Sequence, residues 1–319
     1  MIEPSIGTRE RFRGCLLGLA AGDALGTTLE FTVPGSFPPL TDMVGGGPFR
    51  LKPGEWTDDT SMALCLAESL IAQRGFDPVH QLQTYCRWWR DGHFSVKGHC
   101  FDIGNATRAA LARFSQRKEP YCGDSSPGAA GNGSLMRLAP APLTFANDPA
   151  AAIARAADSS RTTHAAIECV DACRYFGGLL VAAVHGLSKK RLLANDIEAL
   201  QKTMTEKPLA PKVAEIAAGS FLEKSPPRIR GSGYVIHTLE AALWAFHTTD
   251  DFREGSLKVV NLGEDADSTG AVYGQLAGAY YGEASIPAEW RVKLAMRDKI
   301  VQLADELHAL AFPAGGSSA

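Results

Sequence analysis

An all-α fold, a single-domain orthogonal helix bundle, is what this 319-residue sequence predicts, and three observations carry the expectation. Apolar residues recur at the three-to-four-residue spacing of a helix through most of the chain, and strand-type alternation is almost missing. The Gly, Pro and Ser clusters that interrupt the pattern are short, as loops inside one domain are. The composition agrees, since 45% apolar and 21% charged residues are ordinary for a chain that buries a core.

Taken in order, the helical patterns fall at roughly 11–22, 59–73, 78–91, 102–117, 149–159, 164–186, 210–223, 233–247, 266–282 and 288–310. The first and the ninth are rich in small residues: Gly14, Gly18, Ala20, Ala21 and Gly22 in one, Gly270, Ala271, Gly274, Ala277, Gly278 and Ala279 in the other. Small side chains let helix backbones approach closely, so these two are expected at the packed centre. The uncharged run Tyr175–Val184 is far shorter than the roughly 20 residues a bilayer requires and reads as a buried core helix. Loops are expected at Pro34–Gly47, with its three consecutive glycines, at Gly123–Gly133 and at Ser225–Gly233. The domain should span 1–312, with the Gly/Ser/Ala-rich 313–319 a disordered tail.

Several function classes fall away on composition. With 32 basic against 35 acidic residues and no Lys/Arg-rich block, the chain lacks the footprint of a nucleic-acid binder. Met1–Glu10 carries acids and a proline where a secretory signal would have a basic stretch and an apolar run, which points to the cytoplasm and to no membrane association. Seven cysteines without a CxxC pair or zinc spacing read as reduced thiols, Cys169 and Cys173 included.

Chemistry is expected at paired acids. Glu55-Trp56-Thr57-Asp58-Asp59-Thr60-Ser61 precedes the apolar run Met62–Ile71, and Gly263-Glu264-Asp265-Ala266-Asp267-Ser268-Thr269-Gly270 opens another helix. One such cluster caps a helix. Two of the same make suggest a shared cation site, because hard divalent ions take oxygen ligands, and four aspartates with two hydroxyls would suit a pair of ions. A third element, Gly22-Asp23-Ala24-Leu25-Gly26, ends the first small-residue helix; its glycines leave room for a ligand beside Asp23, or simply form a helix C-terminal turn. Glu30, in an otherwise apolar segment, has the character of a general base.

Pro127–Arg137 is a glycine-rich loop running into a helix, and backbone N–H groups at such a place can cradle a phosphate. The Walker lysine is missing and no strand precedes the loop, so a diphosphate joined to sugars is favoured over a nucleoside triphosphate. His164, after Thr162-Thr163, is placed at the start of the long core helix beside the ligand, and Tyr234 could stack on a base.

Together, Gly22–Gly26, Trp56–Thr60, Gly131–Arg137, Thr163-His164 and Gly263–Gly270 resemble, in that order, the ADP-ribosylglycohydrolase family, over about residues 11–285. The resemblance implies an all-α domain around a central dinuclear metal cleft. It implies two Mg²⁺, or alternatively Mn²⁺, held by Thr57, Asp58, Asp59, Asp265, Asp267 and Ser268, with Glu30 and Asp59 as catalytic residues. Asp23, Asn132, Gly133, Ser134, Met136, Arg137, His164 and Tyr234 would contact substrate. The implied reaction is hydrolysis of the N-glycosidic bond between ADP-ribose and a modified protein side chain, arginine first, reversing mono-ADP-ribosylation for regulation or against a toxin. O-linked ADP-ribose, on serine or as the O-acetyl ester, is the alternative, as is an inactive ADP-ribose binder. The partner is the modified protein, and the chain is expected to be a monomer. Ser268 stands where the family usually has threonine, and keeps the ligating hydroxyl.

Two rivals share fragments of the pattern. Asp265-x-Asp267-x-Thr269 fits the nucleophile motif of haloacid dehalogenase-like phosphatases, which needs a parallel sheet, with Val259–Leu262 the weak strand candidate. Isoprenoid synthases would need another aspartate where Met62 sits.

Overall fold

The computed structural model describes residues 6–313; the expected tail therefore lies, apart from its first residue, outside the described residues. Among the described residues there are fifteen α-helices: α1 (Thr8–Gly26), α2 (Asp58–Gln73), α3 (Pro78–Asp91), α4 (Asn105–Arg117), α5 (Pro140–Thr144), α6 (Pro149–Arg161), α7 (Ile167–Val184), α8 (Lys189–Leu193), α9 (Glu198–Glu206), α10 (Pro211–Ala217), α11 (Val235–Thr248), α12 (Phe252–Val260), α13 (Ala266–Tyr281), α14 (Ala288–Lys293) and α15 (Arg297–Ala311). Among the described residues there is no strand, which removes the phosphatase reading: Val259 and Val260 end α12, and the aspartates after them open a helix. No described helix is long and apolar enough to cross a membrane.

The centre is the antiparallel pair α1 and α13, the most extensive helix–helix contact in the chain. Gly14 faces Gly278, Gly18 faces Gly274, Gly22 faces Gly270 and Gly26 faces Ala266, one step per helical turn on each side. A Cβ at any of these glycines would come under 3.0 Å from backbone atoms of the opposite helix. The side chains are missing because the two backbones meet directly, leaving no room for a Cβ between them. The glycines flanking Asp23 therefore serve helix packing, not room for a ligand. Gly274→Val is expected to lower stability by at least about 3 kcal/mol, because a backbone neighbour cannot yield as a side chain can; urea denaturation would measure it.

Aspartates cap several of the surrounding helices. Asp77 accepts from the Val79 and His80 N–H groups ahead of α3, with Pro78 at the first position, and Asp148 before Pro149 does the same for α6. The run Tyr175–Val184 lies in the buried α7 as expected. The pattern at 288–310 breaks into α14 and α15, because the Ala295 N–H bonds the Gly54 carbonyl and Met296 takes a left-handed φ of 51°.

Candidate active site

Antiparallel packing puts the C-terminal end of α1 beside the N-terminal end of α13, and α2 begins at the same place. Asp23 of α1 is fully buried and joins the elements. Its Oδ1 accepts from the Thr57 N–H at 2.9 Å and the Thr57 hydroxyl at 3.0 Å, and its Oδ2 from the Thr60 N–H at 3.0 Å and hydroxyl at 2.6 Å. Asp23 thus caps α2 from the neighbouring helix and fixes where Asp58 and Asp59 emerge. Across the cleft, Asp265 is held by its N–H to the Gly231 carbonyl and by the Asn132 amide, which donates to its carboxylate at 2.7 Å.

The result is a cleft of about 300 Å³ lined by Glu30, Asp58, Asp102, Asp265, Asp267 and Ser268, among others. Carboxylate oxygens of Asp23, Asp59 and Asp267 lie within 4.8 Å of one another, as do those of Glu30, Asp102 and Asp267. The Thr57 hydroxyl sits 3.0 Å from Asp23, 3.1 Å from Asp59 and 3.4 Å from Asp267. One hydroxyl has one proton, so it can satisfy only one of three carboxylates. Glu30 Oε2, Asp59 Oδ1 and Asp267 Oδ1 are buried without any hydrogen-bond partner. Unpaired buried carboxylate oxygens are costly, and an all-oxygen donor set with orphaned negative charge is what a hard divalent cation takes. The residues present fit such an ion.

Protons respond to the same crowding. Burial, then the charges of Asp102, Asp265, Asp59 and Asp23, push the Glu30 carboxyl up to about 10. Burial, then Asp23 and Asp265, push Asp102 up to about 8. Asp58, Asp59 and Asp267 are likewise driven well above the ordinary range, burial first and their acidic neighbours second.

One stretch of the cleft wall is uncharged. Asn132, Gly133, Met136 and His164 line it. Burial, then Arg137, push the His164 imidazole down to about 3, so it is uncharged at neutral pH. Its Nδ1 lies 2.8 Å from the Thr163 hydroxyl, which itself accepts from Arg137 at 2.9 Å. A neutral imidazole carries one N–H, and the nitrogen not engaged with Thr163, Nε2, faces the Gly133 position. Gly133 has to be glycine here, for a Cβ would meet the imidazole at 2.7 Å.

The family model for ADP-ribosylglycohydrolase matches residues 4–315. The chain belongs to the ADP-ribosylglycohydrolase family. It is 45% identical to the ADP-ribosylarginine hydrolase Tri1 of Pseudomonas putida (strain GB-1), over 93% of this chain and 78% of that one. To the ADP-ribosyl-[dinitrogen reductase] glycohydrolase of Rhodospirillum rubrum it is 33% identical, over 98% and 99%. A solved structure described as an ADP-ribosylglycohydrolase-related protein complex superposes with a TM-score of 0.84 at 45% identity, over 95% of this chain and 99% of that chain. The protein is accordingly an enzyme that hydrolyses ADP-ribosyl linkages.

For this ADP-ribosylglycohydrolase the structure separates side chains that the sequence grouped. Glu30, Asp58, Asp265, Asp267, Ser268, Asn132, Gly133, Met136 and His164 line one cleft, with Thr57 and Asp59 buried just beneath it. The side chains of Ser134 and Arg137, expected at the substrate, do not line it. The Ser134 hydroxyl accepts from Ser160. The buried Arg137 guanidinium donates to Tyr85 Oη at 2.7 Å, to the Gly133 carbonyl at 2.9 Å and to Thr163, so it braces the loop from behind. That loop runs through turns into the short α5, and His164 precedes α7 instead of opening it. Tyr234 borders a neighbouring cavity of about 540 Å³ with Gly128, Ala130 and Lys212; Gly131 lines both this cavity and the acidic cleft. Its hydroxyl donates to Glu168 and accepts from Lys212, whose ammonium also lies 5.0 Å from the ring centroid.

Asp102 was not singled out by sequence. It stands between Phe101 and Ile103 in a stretch that reads as helix, yet α4 starts only at Asn105, and a left-handed φ of 60° marks the turn that places it in the cleft. A lone acid in an apolar setting, the signal that marked Glu30, was present there too.

The pH dependence of stability follows from these shifts. Glu30 and Asp102 hold protons in the folded state far above their ordinary values of 4.5 and 3.8. Across that window the folded chain binds more protons than the unfolded one, so stability falls as pH rises. In EDTA, the melting temperature is expected to decline steadily from about pH 5 to about pH 9. Excess Mg²⁺ should flatten that slope, by supplying the positive charge that protons otherwise provide; scanning fluorimetry across pH would record both curves.

Proposed function

We propose that this enzyme is a divalent-cation-dependent hydrolase that cleaves the N-glycosidic bond joining ADP-ribose to an arginine side chain. The observation that carries the cation dependence is the Thr57 hydroxyl with three carboxylates around one proton, beside three orphaned buried oxygens. Thr57, Asp58, Asp59, Asp265, Asp267 and Ser268 would hold two Mg²⁺, or Mn²⁺, with Asp267 common to both carboxylate groups. The arginine linkage is supported by the name of the relative at 45% identity.

Bound in this cleft, divalent cations would supply positive charge for binding the sugar and activating water. The chain's own residues do the rest. Glu30 lines the cleft with an unpartnered Oε2; with cations offsetting the neighbouring negative charge its carboxylate form would be favoured and would take the water proton as the oxygen attacks the anomeric carbon, the guanidine nitrogen leaving with the bonding pair. Asp59 is the second candidate for that proton. The neutral His164 offers an N–H to a sugar or phosphate oxygen without adding charge. Asn132 holds Asp265 in place. The cavity beside Tyr234, which shares Gly131 with the cleft, would take the remaining diphosphate and adenosine.

The test is release of ADP-ribose from an arginine-ADP-ribosylated protein with Mg²⁺, Mn²⁺ or EDTA, beside a serine-linked peptide. Release from arginine that EDTA abolishes and either metal restores is expected. Release from serine alone would overturn the linkage, and release undiminished in EDTA would overturn the cation dependence.

A further inference from the structure

Nine non-glycine residues among those described take a left-handed φ, and two of them, Phe31 and Asp102, line the acidic cleft. Phe31 follows Glu30 directly, has a φ of 60° and is 68% exposed. A large apolar side chain is seldom found in that conformation, and here the core gains almost no burial from it. The segment is nevertheless firmly held. The Phe31 N–H donates to the Glu264 carbonyl at 2.6 Å and the Glu264 N–H donates to the Thr32 carbonyl at 2.9 Å, with Glu264 itself left-handed at 58°. Two adverse backbone conformations are thus locked together to keep an aromatic residue at the mouth of the cleft. Strain held at a site by surrounding bonds points to a function for the residue that bears it.

We infer that Phe31 is a specificity-determining residue that receives the guanidinium of the modified arginine on its ring face. The inference rests on the arginine linkage proposed above. A guanidinium is planar, always charged and weakly hydrated, and it stacks on aromatic faces. Glu30 and Asp102 line the same cleft, so a cationic leaving group would meet acidic side chains as well as the ring. A serine hydroxyl offers neither the charge nor the plane, and gains nothing from the ring.

The experiment compares the wild-type chain with Phe31→Ala, Phe31→Leu, Phe31→Tyr and Phe31→Gly, in Mg²⁺. Its readouts are kcat and KM on an ADP-ribosylarginine peptide, Kd for free ADP-ribose by calorimetry, and melting temperature. The Ala and Leu variants are expected to raise KM about tenfold with kcat nearly unchanged, as for an interaction made equally in ground and transition states. Phe31→Tyr should stay near wild type, and ADP-ribose affinity should hold within about twofold throughout, since the free product lacks the guanidinium. Phe31→Gly should raise KM like Ala without lowering the melting temperature, because glycine accepts this φ. A Leu variant equal to wild type would overturn the inference, as would ADP-ribose affinity falling in step with KM. If the wild-type chain does not cleave the arginine peptide, the linkage itself fails and the inference with it. If it does and the Ala variant keeps its KM, only the role of Phe31 fails.

Discussion

Asp267→Asn is expected to lower turnover about a thousandfold, the scale of losing a principal electrostatic contact, while raising the melting temperature of the cation-free protein. Both effects come from one location. Asp267 is buried, its Oδ1 has no hydrogen-bond partner, and it belongs to both carboxylate groups, with Asp23 and Asp59 on one side and Glu30 and Asp102 on the other. Asparagine keeps the shape, removes a charge and brings an N–H that can bond a neighbouring carboxylate. In EDTA this relieves repulsion, worth roughly 2–4 °C for each kcal/mol. With Mg²⁺ present, the variant should lack the stabilisation that a bound ligand confers on the wild type. Scanning fluorimetry with and without Mg²⁺, beside ADP-ribose release, reads all three effects. A variant less stable than wild type in EDTA would show that the acids do not repel as the geometry requires.

Glu30→Gln separates proton transfer from cation binding. Glu30 shares the mouth of the cleft with Asp102, whose side chain it contacts, and its Oε2 is unpartnered. As the general base, its loss should reduce kcat by about 10²–10⁴-fold. Thr57, Asp59 and Asp265 remain in place, so calorimetric cation affinity should be little changed. The limb of the pH–rate profile that reports ionisation of the base should vanish with it. Cation affinity falling as steeply as kcat would make Glu30 a ligand instead, and Asp59 would then be the carboxylate left to take the proton.

Long helices with one apolar face were legible because burial imposes a period that the residues must follow. The first and ninth patterns also revealed their packing, since runs of small residues have few other uses; Gly14 to Gly26 against Ala266 to Gly278 is that contact. Short helices gave no such signal: α8 and α9 lie in polar stretches of five and nine residues, too brief to establish a period. The split between α14 and α15 depends on a bond from Ala295 to distant Gly54, which no local pattern contains.

The site divided along similar lines. Acids at helix starts announced themselves as clusters, whereas Asp102 is alone in its segment and reaches the cleft only through a left-handed turn. Nor could sequence tell which way Arg137 faces. In a loop containing Gly131, Asn132 and Gly133, an arginine suggests a phosphate; the structure turns it inward, over the Tyr85 ring at 4.7 Å, where it supports the loop and helps keep His164 neutral.

The proposed reaction requires two divalent cations in the acidic cleft. The most direct measurement is the number of Mn²⁺ ions bound per chain, by calorimetry with electron paramagnetic resonance on metal-stripped protein, for the wild type and Asp267→Asn. Two ions on the wild type, with spectral coupling between them that the variant loses, are expected. No bound ion, or two ions unaffected by the substitution, would contradict it.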